Sequence, residues 1–405
     1  MPLLVDPLTR LSVASLGLQP KGIQVKILGA GPTGSLLALA LAQLGVNVRL
    51  YDPLTIQGLL ERSRAYALTH SSRRLLQSLD LWAPLNSHLT TFTRLQLDDQ
   101  ELNRHTCFEI DDLSIQNQAH GAIGWILDHR PLMKLLLERL SKQPKVCLDL
   151  GEIKEQGLDG HDLVVAADGP ASPTRKAWGI KTWNYPYQQG CLTAKVLLRG
   201  ADHLTAYELF RAEGPLALLP MGGDVFQMVW SGPLRCCQER AGLNPSSFLD
   251  QLAAVLPEGL QPDVLLDRPA AFPLQLSLAH QLQHGRGVLV GESGHRCHPI
   301  GGQGLNLCWR DVKTLTRLVK LSNEGTLPIA KLPRLYARAR FIDLFLVGLM
   351  TDLTVRLFSS RNVLLLMLRL PLMILLARLP WMRQVLLKAM TDGPKIGRAS
   401  CRERV

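Results

Sequence analysis

The chain has 405 residues, 46% hydrophobic and 20% charged, with 45 Lys and Arg against 34 Asp and Glu for a net charge of +11. That balance excludes a disordered or fibrous chain and predicts a sizeable core, in two domains or in one with large insertions. Met1–Pro20 has no basic region leading into an apolar one, no apolar run spans a bilayer, and the eight cysteines form no metal-type Cys-x-x-Cys pair, so a reducing, cytoplasmic setting without signal peptide or structural metal is expected.

Gly22–Asp52 opens with an apolar strand (Ile23–Leu28), a glycine turn, an Ala/Leu helix (Ser35–Leu44) and a second strand (Asn47–Tyr51), a βαβ start. A polar stretch with helical patches runs to about Leu85. Helix Pro131–Leu140 leads to a buried strand, Asp162–Ala167. From Thr182 to about Leu266 short strands and turns alternate, as in Gly190–Leu198, Pro215–Leu219 and Val225–Trp230, and the adjacent Cys236-Cys237 reads as packing. Val288–Val290 is again an apolar strand, and Arg310–Gly393 reads as helices, in which Arg369 and Pro371 interrupt the longest apolar run. Most of the excess positive charge lies here: Lys331–Lys395 holds eleven bases against Asp343, Asp352 and Asp392. A basic, leucine-rich helical tail suits the surface of an anionic membrane, and equally suits a helix pair packed on the body with solvated arginines. Its few aromatics are not interleaved with the bases, which argues against nucleic acid. Ile396–Val405 (IGRASCRERV) matches one reading frame of a common sequencing adapter and is set aside. Without its three arginines and one glutamate the net charge is +9.

Three sites carry chemistry. Gly29-Ala-Gly31-Pro-Thr-Gly34 lies between strand and helix, with Asp52 ending the second strand, 18 residues beyond Gly34. The first glycine permits the turn, the second admits a pyrophosphate, the third packs helix on strand, and the acid holds a ribose hydroxyl, a Rossmann-like dinucleotide pattern. Asp168-Gly169 at a strand end, with Ser172 and Arg175, suits a ribityl and pyrophosphate region; Arg175 is also placed to meet an anionic nicotinamide cofactor. Gly291-Glu292 and the loop His298-Pro299-Ile-Gly-Gly302-Gln303-Gly304-Leu305-Asn306 then run into a helix. Backbone N–H groups at such a helix start stabilise a negative ring edge, which points to a flavin lying there. His295 and His298 read as hydrogen-bonded loop residues, since no carboxylate or cysteine set completes a metal site.

These sites, in this order, resemble the group A flavoprotein monooxygenases of the p-hydroxybenzoate hydroxylase fold, and within them the ubiquinone-biosynthesis hydroxylases (2-octaprenyl-6-methoxyphenol hydroxylase-like). Arg64-Ala-Tyr-Ala-Leu68, Tyr187-Gln-Gln189, Glu208-Leu-Phe210, Gly214–Met221 and Gly302–Asn306 carry that narrower likeness. It implies an α/β fold: a Rossmann-like FAD-binding domain (22–181 and 271–345), an inserted mixed β-sheet substrate domain (182–270) and a C-terminal helical tail (346–395). Departures are Glu292 where the family has Asp, Gly301 for Ala, Cys308 for Gly, Arg62 for an acid, and a short segment between Val146 and Asp162.

The resemblance implies FAD as cofactor, NAD(P)H as co-substrate, and hydroxylation of a phenolic, polyprenylated quinone precursor with O2 through a flavin hydroperoxide. It places Arg64, Pro299 and Gln303 at flavin and substrate with no general base assigned. Arg130 joins the glycine turns, Asp52, Asp168, Arg175, Glu292 and the loop in holding the cofactor. Tyr187, Phe210, Leu218 and Pro220 are the expected substrate walls. Expected partners are the lipophilic phenol, O2, the cytoplasmic face of a membrane in peripheral contact, and a quinone-biosynthesis complex or a second copy. A flavin-dependent prenyl-lipid reductase and a non-catalytic flavin-binding subunit remain open.

Overall fold

The computed structural model describes residues 22–151, 157–158, 160–358 and 363–393, without the side chains of residues 186–188, 363, 364 and 366. Its base is a six-stranded sheet, ordered Gln283–His284, Gly287–Leu289, Leu163–Ala166, Gln24–Leu28, Asn47–Asp52, Val146–Leu150. All neighbours are parallel except the short first strand. Such strands are buried on both faces, and they read as unbroken Val/Ile/Leu runs. Helices Pro32–Gln43, His129–Ser141 and Gln303–Asn323 complete the surrounding core.

A nine-stranded sheet stands beside it, mixed because Thr205–Phe210 pairs parallel with Arg94–Asp99 and antiparallel with Leu216–Pro220. The sheet reaches beyond 182–270. The hairpin Arg94–Asp99/Arg104–Phe108 joins one edge, and Ala270–Ala279 with His295–Arg296 forms the other. Its alternation was masked by polar residues, because this hairpin lies at the sheet's end. Leu234–Ala241 and Pro245–Ala253, within the span expected to be all strand, are helices that bury Cys237, Phe248 and Leu252 against one face. Between the sheets lies a three-stranded one (Ala65–Leu68, Gly124–Asp128, Leu89–Phe92), whose first strand falls within the stretch expected to be polar and partly helical.

The chain ends in helices Leu332–Phe358, Val363–Arg378 and Pro380–Asp392. Among the described residues no single helix is long and apolar enough to cross a membrane; Met367–Arg378 and Pro380–Asp392 pass that test only as a pair, bent by 98°. Several tail bases serve packing instead of facing solvent. Arg369 is 0% exposed, 3.3 Å from Asp99, and donates to the Leu357 carbonyl. Arg383 pairs with Asp112 and Arg340 with Asp311 and Asp343, whereas Arg356, paired with Asp352, stays 48% exposed. The acids that neutralise Arg369 and Arg383 lie more than 250 residues earlier in the chain, out of sight of a local charge count.

Candidate active site

Three glycine turns meet at the carboxyl ends of adjacent parallel strands, the edge where open α/β sheets bind ligands. At the first, Gly29 has φ +107°, and a Cβ there would sit 2.3 Å from the Ala167 carbonyl oxygen. A Cβ on Gly34 would sit 1.8 Å from the Gly29 oxygen, so helix and turn touch through backbone. A Cβ on Gly31 would meet nothing within 4 Å. Two of the three glycines are thus required by the protein itself, while the third keeps a space clear. Asp52 is buried and accepts the Ala30 N–H at 2.7 Å and the Leu54 N–H at 2.8 Å. It braces the turn, and each oxygen keeps a second lone pair for a ribose hydroxyl.

At the second turn Asp168 Oδ2 accepts the Thr174 N–H, while Oδ1 is buried without a partner among the described residues. Gly169 follows with φ +86° and open space around it. A buried, unpaired carboxylate oxygen is costly unless a ligand hydroxyl supplies its donor. Ser172 caps the short helix through the Arg175 N–H. The Arg175 guanidinium donates to the Ser293 carbonyl at 2.6 Å and the Pro170 carbonyl at 2.9 Å. It therefore ties the second turn to the third.

The third turn rests on a residue not singled out from the sequence. Asp311, fully buried, accepts the Gly291 N–H at 2.7 Å, with His295 Nε2 at 2.7 Å from the same oxygen and Arg340 Nε at 2.6 Å from the other. Despite its burial these charged and polar neighbours hold its carboxyl well below the usual range, at about 2. His298 accepts the Ile300 N–H through Nδ1, and burial lowers its pKa to about 3, so it is neutral.

Beyond Pro299 the chain takes two consecutive left-handed glycines, Gly301 (φ +66°) and Gly302 (φ +62°), and enters helix Gln303–Asn323. Glycine at 301 relieves the strain an alanine bears at that φ. Asn306 accepts from Thr69 N–H, Thr69 Oγ1 and Ser72 Oγ, and donates to the Ala67 and Gly302 carbonyls. Its hydrogen-bonding capacity is filled, so it clamps the loop onto strand Ala65–Leu68. Gln303 is held by Gly301 and Arg310.

A cavity of about 400 Å³ lies between this loop and the large sheet. Arg64, Glu292, Pro299, Gly302, Gln303, Gly304 and Leu305 all border it. Arg64 is exposed, its guanidinium 5.6 Å from the Tyr66 ring centre. Arg130, on the first turn of its helix, is exposed and does not border the cavity. The far wall is one sheet face, read at every second residue: Ala206 and Glu208, Ala217 and Leu219, Gln227 and Val229, Cys191 and Thr193. That alternation corrects the expected substrate walls. Leu218 points to the opposite face, into the core with Trp230, and Pro220 shares its parity. Phe210 stacks on Phe358 with ring centres 4.0 Å apart. The Tyr187 side chain lies outside the described residues. Leu387, Met390 and Thr391 of the last helix close the cavity, a contribution no local pattern announced.

The residues fit FAD: clear space at Gly31 for a pyrophosphate, an unpaired Asp168 oxygen for the ribityl chain, and a loop of left-handed glycines bordering a ring-sized cavity. The comparisons agree. A family model described as an FAD binding domain matches residues 22–109 and 156–328. Ubiquinone hydroxylase UbiL of Rhodospirillum rubrum is 30% identical over 383 residues, 85% of this chain and 83% of that one. The 3-demethoxyubiquinol 3-hydroxylase of Escherichia coli is 26% identical over 83% of this chain and 90% of its own. Among solved structures, Klebsiella pneumoniae HpxO complexed with FAD and uric acid superposes with a TM-score of 0.69 at 19% identity, covering 92% of this chain and 96% of that one, a likeness of fold. By its glycine turns, its sheet pair and these matches, the chain belongs to the FAD-binding monooxygenase family, in the branch of the ubiquinone-biosynthesis hydroxylases.

Proposed function

We propose that this FAD-dependent monooxygenase hydroxylates a polyprenylated phenol, a quinone precursor, with NAD(P)H as reductant and O2 as oxygen source, at the surface of a membrane. The observation that carries the reading is the cavity bounded by the Pro299–Leu305 loop on one side and a largely apolar sheet face on the other. Bound FAD supplies the redox chemistry, accepting a hydride and delivering one oxygen atom of O2 to the ring. The chain's own part is to bind, orient and exclude water. Arg64 borders the cavity, the first turn of helix Gln303–Asn323 presents N–H groups toward the loop, and Leu387 and Met390 add apolar lining.

A second, mostly apolar cavity of about 390 Å³ supports a prenyl chain. It shares His295, Arg296 and Cys297 with the first and opens between Trp183, Phe345 and Leu349. The relatives named for ubiquinone chemistry support a lipophilic substrate in the same way. The test is the visible spectrum of FAD-loaded protein under anaerobic conditions, with NADPH and a 2-geranylphenol, followed by O2 and product mass. A bleached flavin band and a product heavier by one oxygen are expected. A product heavier only by hydrogen means the prenyl-lipid reductase, and a flavin that NADPH and NADH leave oxidised means the non-catalytic subunit.

The membrane reading draws on helix Leu332–Phe358. Phe341, Phe345, Leu349 and Leu353 recur every fourth residue on one exposed stripe, flanked by Ile342 and Met350, with Arg334 and Arg338 nearby. The cytoplasmic membrane face is the proposed location. Replacing Ile342, Met350 and Leu353 together by serine, none of which borders either cavity, removes apolar contacts worth roughly 1.5–3 kcal/mol each when fully buried. Co-sedimentation with vesicles containing phosphatidylglycerol is expected to fall at least about tenfold. Equal sedimentation of the variant and the parent protein sinks the membrane contact.

A further inference from the structure

Glu208 is the one acid on the sheet wall of the cavity, and the fold gives it little to do. Its strand is paired on both sides, to Ala217 and Leu97, so the backbone is fixed and the carboxyl borders the cavity on the same face as Ala206. It is 6% exposed and, among the described residues, forms no ion pair and accepts only a long 3.4 Å contact from the Gly301 N–H, which joins it to the Pro299–Gly304 loop. A buried carboxylate with so weak a partner costs several kcal/mol in the free protein, and such groups collect at reacting centres.

We propose that Glu208 is the base that takes the hydroxyl proton of the phenolic substrate bound between the sheet face and the Pro299–Gly304 loop. The phenol O–H bond breaks, its electron pair stays on the phenolate oxygen, and a new O–H bond forms on the carboxyl. No oxidant enters this step, and the ring becomes electron-rich enough to accept oxygen. Burial pushes the Glu208 carboxyl up to about 7, a value suited to a base near neutral pH. Of the other titratable groups at the cavity, burial pushes Tyr66 and Cys191 up to about 12, so both stay neutral. Arg64 and Arg296 add positive charge that favours a phenolate, His295 is bonded to Asp311, and Glu292 sits across the cavity at the third glycine turn.

This inference rests on the phenol hydroxylase reading, and the experiment separates the two. FAD-loaded protein is given NADPH, O2 and 2-geranylphenol, and oxygenated product and flavin reduction are followed from pH 6 to 10 in the parent protein, Glu208→Gln and Glu208→Asp. Hydroxylation by the parent is expected to fall on the acid side, where the carboxyl holds its own proton, and the aspartate variant is expected between the parent and Glu208→Gln. In turnover Glu208→Gln is expected to lose on the order of 10²-fold or more in hydroxylation at neutral pH and regain part of it at high pH, where the phenol ionises unaided, while NADPH still reduces the flavin. Equal hydroxylation by the parent and Glu208→Gln across this range overturns the assignment and leaves the hydroxylase reading standing. A parent whose flavin NADPH reduces but that never transfers oxygen overturns the hydroxylase reading, and the base with it.

Discussion

Asp311→Asn is expected to cost about 3–5 kcal/mol of stability and to release FAD at least tenfold more readily. Three donors converge on this carboxylate: Gly291 N–H, His295 Nε2 and Arg340 Nε. An asparagine offers one acceptor oxygen and turns an NH2 group toward a donor, leaving the Gly291 turn or the Arg340 guanidinium unpaired in a buried site. Because Gly291 shapes the third turn, the damage reaches the cofactor cradle without touching a cofactor contact. The sign with pH follows from the direction of the shift. The folded-state pKa, about 2, lies below the ordinary 3.8, so this stabilisation is complete above that ordinary value. It is lost as the pH falls through the window toward 2. Urea unfolding of FAD-free protein from neutral pH to pH 3 measures it: the parent loses stability on the acid side and Asp311→Asn loses less. Identical acid profiles and unchanged FAD retention would show that the network carries no weight.

How much of this was legible depends on how local each constraint is. Gly29, Gly31 and Gly34 declare themselves because their reasons lie within one strand–turn–helix unit, and Asp52 falls where that unit places it. Gly302 and Asn306 were visible as parts of a glycine loop entering a helix, but what Asn306 does was not, since its partners Thr69 and Ser72 lie 237 and 234 residues away. Leu218 was misread because strand Leu216–Pro220 is apolar on both faces and carries no sign of which face each residue takes; only the register with Met228 and Tyr207 decides. Asp311 and Arg340 lay in plain sight on helices, yet an acid and a base 29 residues apart announce nothing until the helices pack. Arg369 looked like a cation for solvent and is a buried partner of Asp99, 270 residues away. Glu208 did carry a signal, an acid in the middle of a strand otherwise destined for the interior. Sequence reading took it as part of a family motif and asked no chemical question of it.

The first glycine turn allows the demands of the fold and of the ligand to be separated, with Gly34→Ala and Gly31→Ala expected to fail in different ways. In Gly34→Ala the new methyl meets the Gly29 oxygen at 1.8 Å, a backbone atom that cannot swing aside, so helix Pro32–Gln43 must move off the sheet. That helix buries nine of its residues, Leu36, Leu37 and Leu39 among them, and displacing it opens the core. The expected result is insoluble protein or a loss of several kcal/mol, of the order seen for overpacked cores and above. Gly31 differs in both respects. Its φ of −66° suits alanine, and the added methyl meets no protein atom within 4 Å. Gly31→Ala should therefore fold with the parent's thermal stability when FAD is absent. Its methyl occupies the space through which a pyrophosphate approaches the backbone, so FAD affinity is expected to fall at least about tenfold, or 1.4 kcal/mol. Fluorescence titration of refolded, FAD-free protein reads the affinity, and circular dichroism melting reads the fold. A Gly31→Ala protein that binds FAD as the parent does would move the pyrophosphate away from this turn. A Gly34→Ala protein that melts with the parent would show that the helix has slack the packing does not reveal.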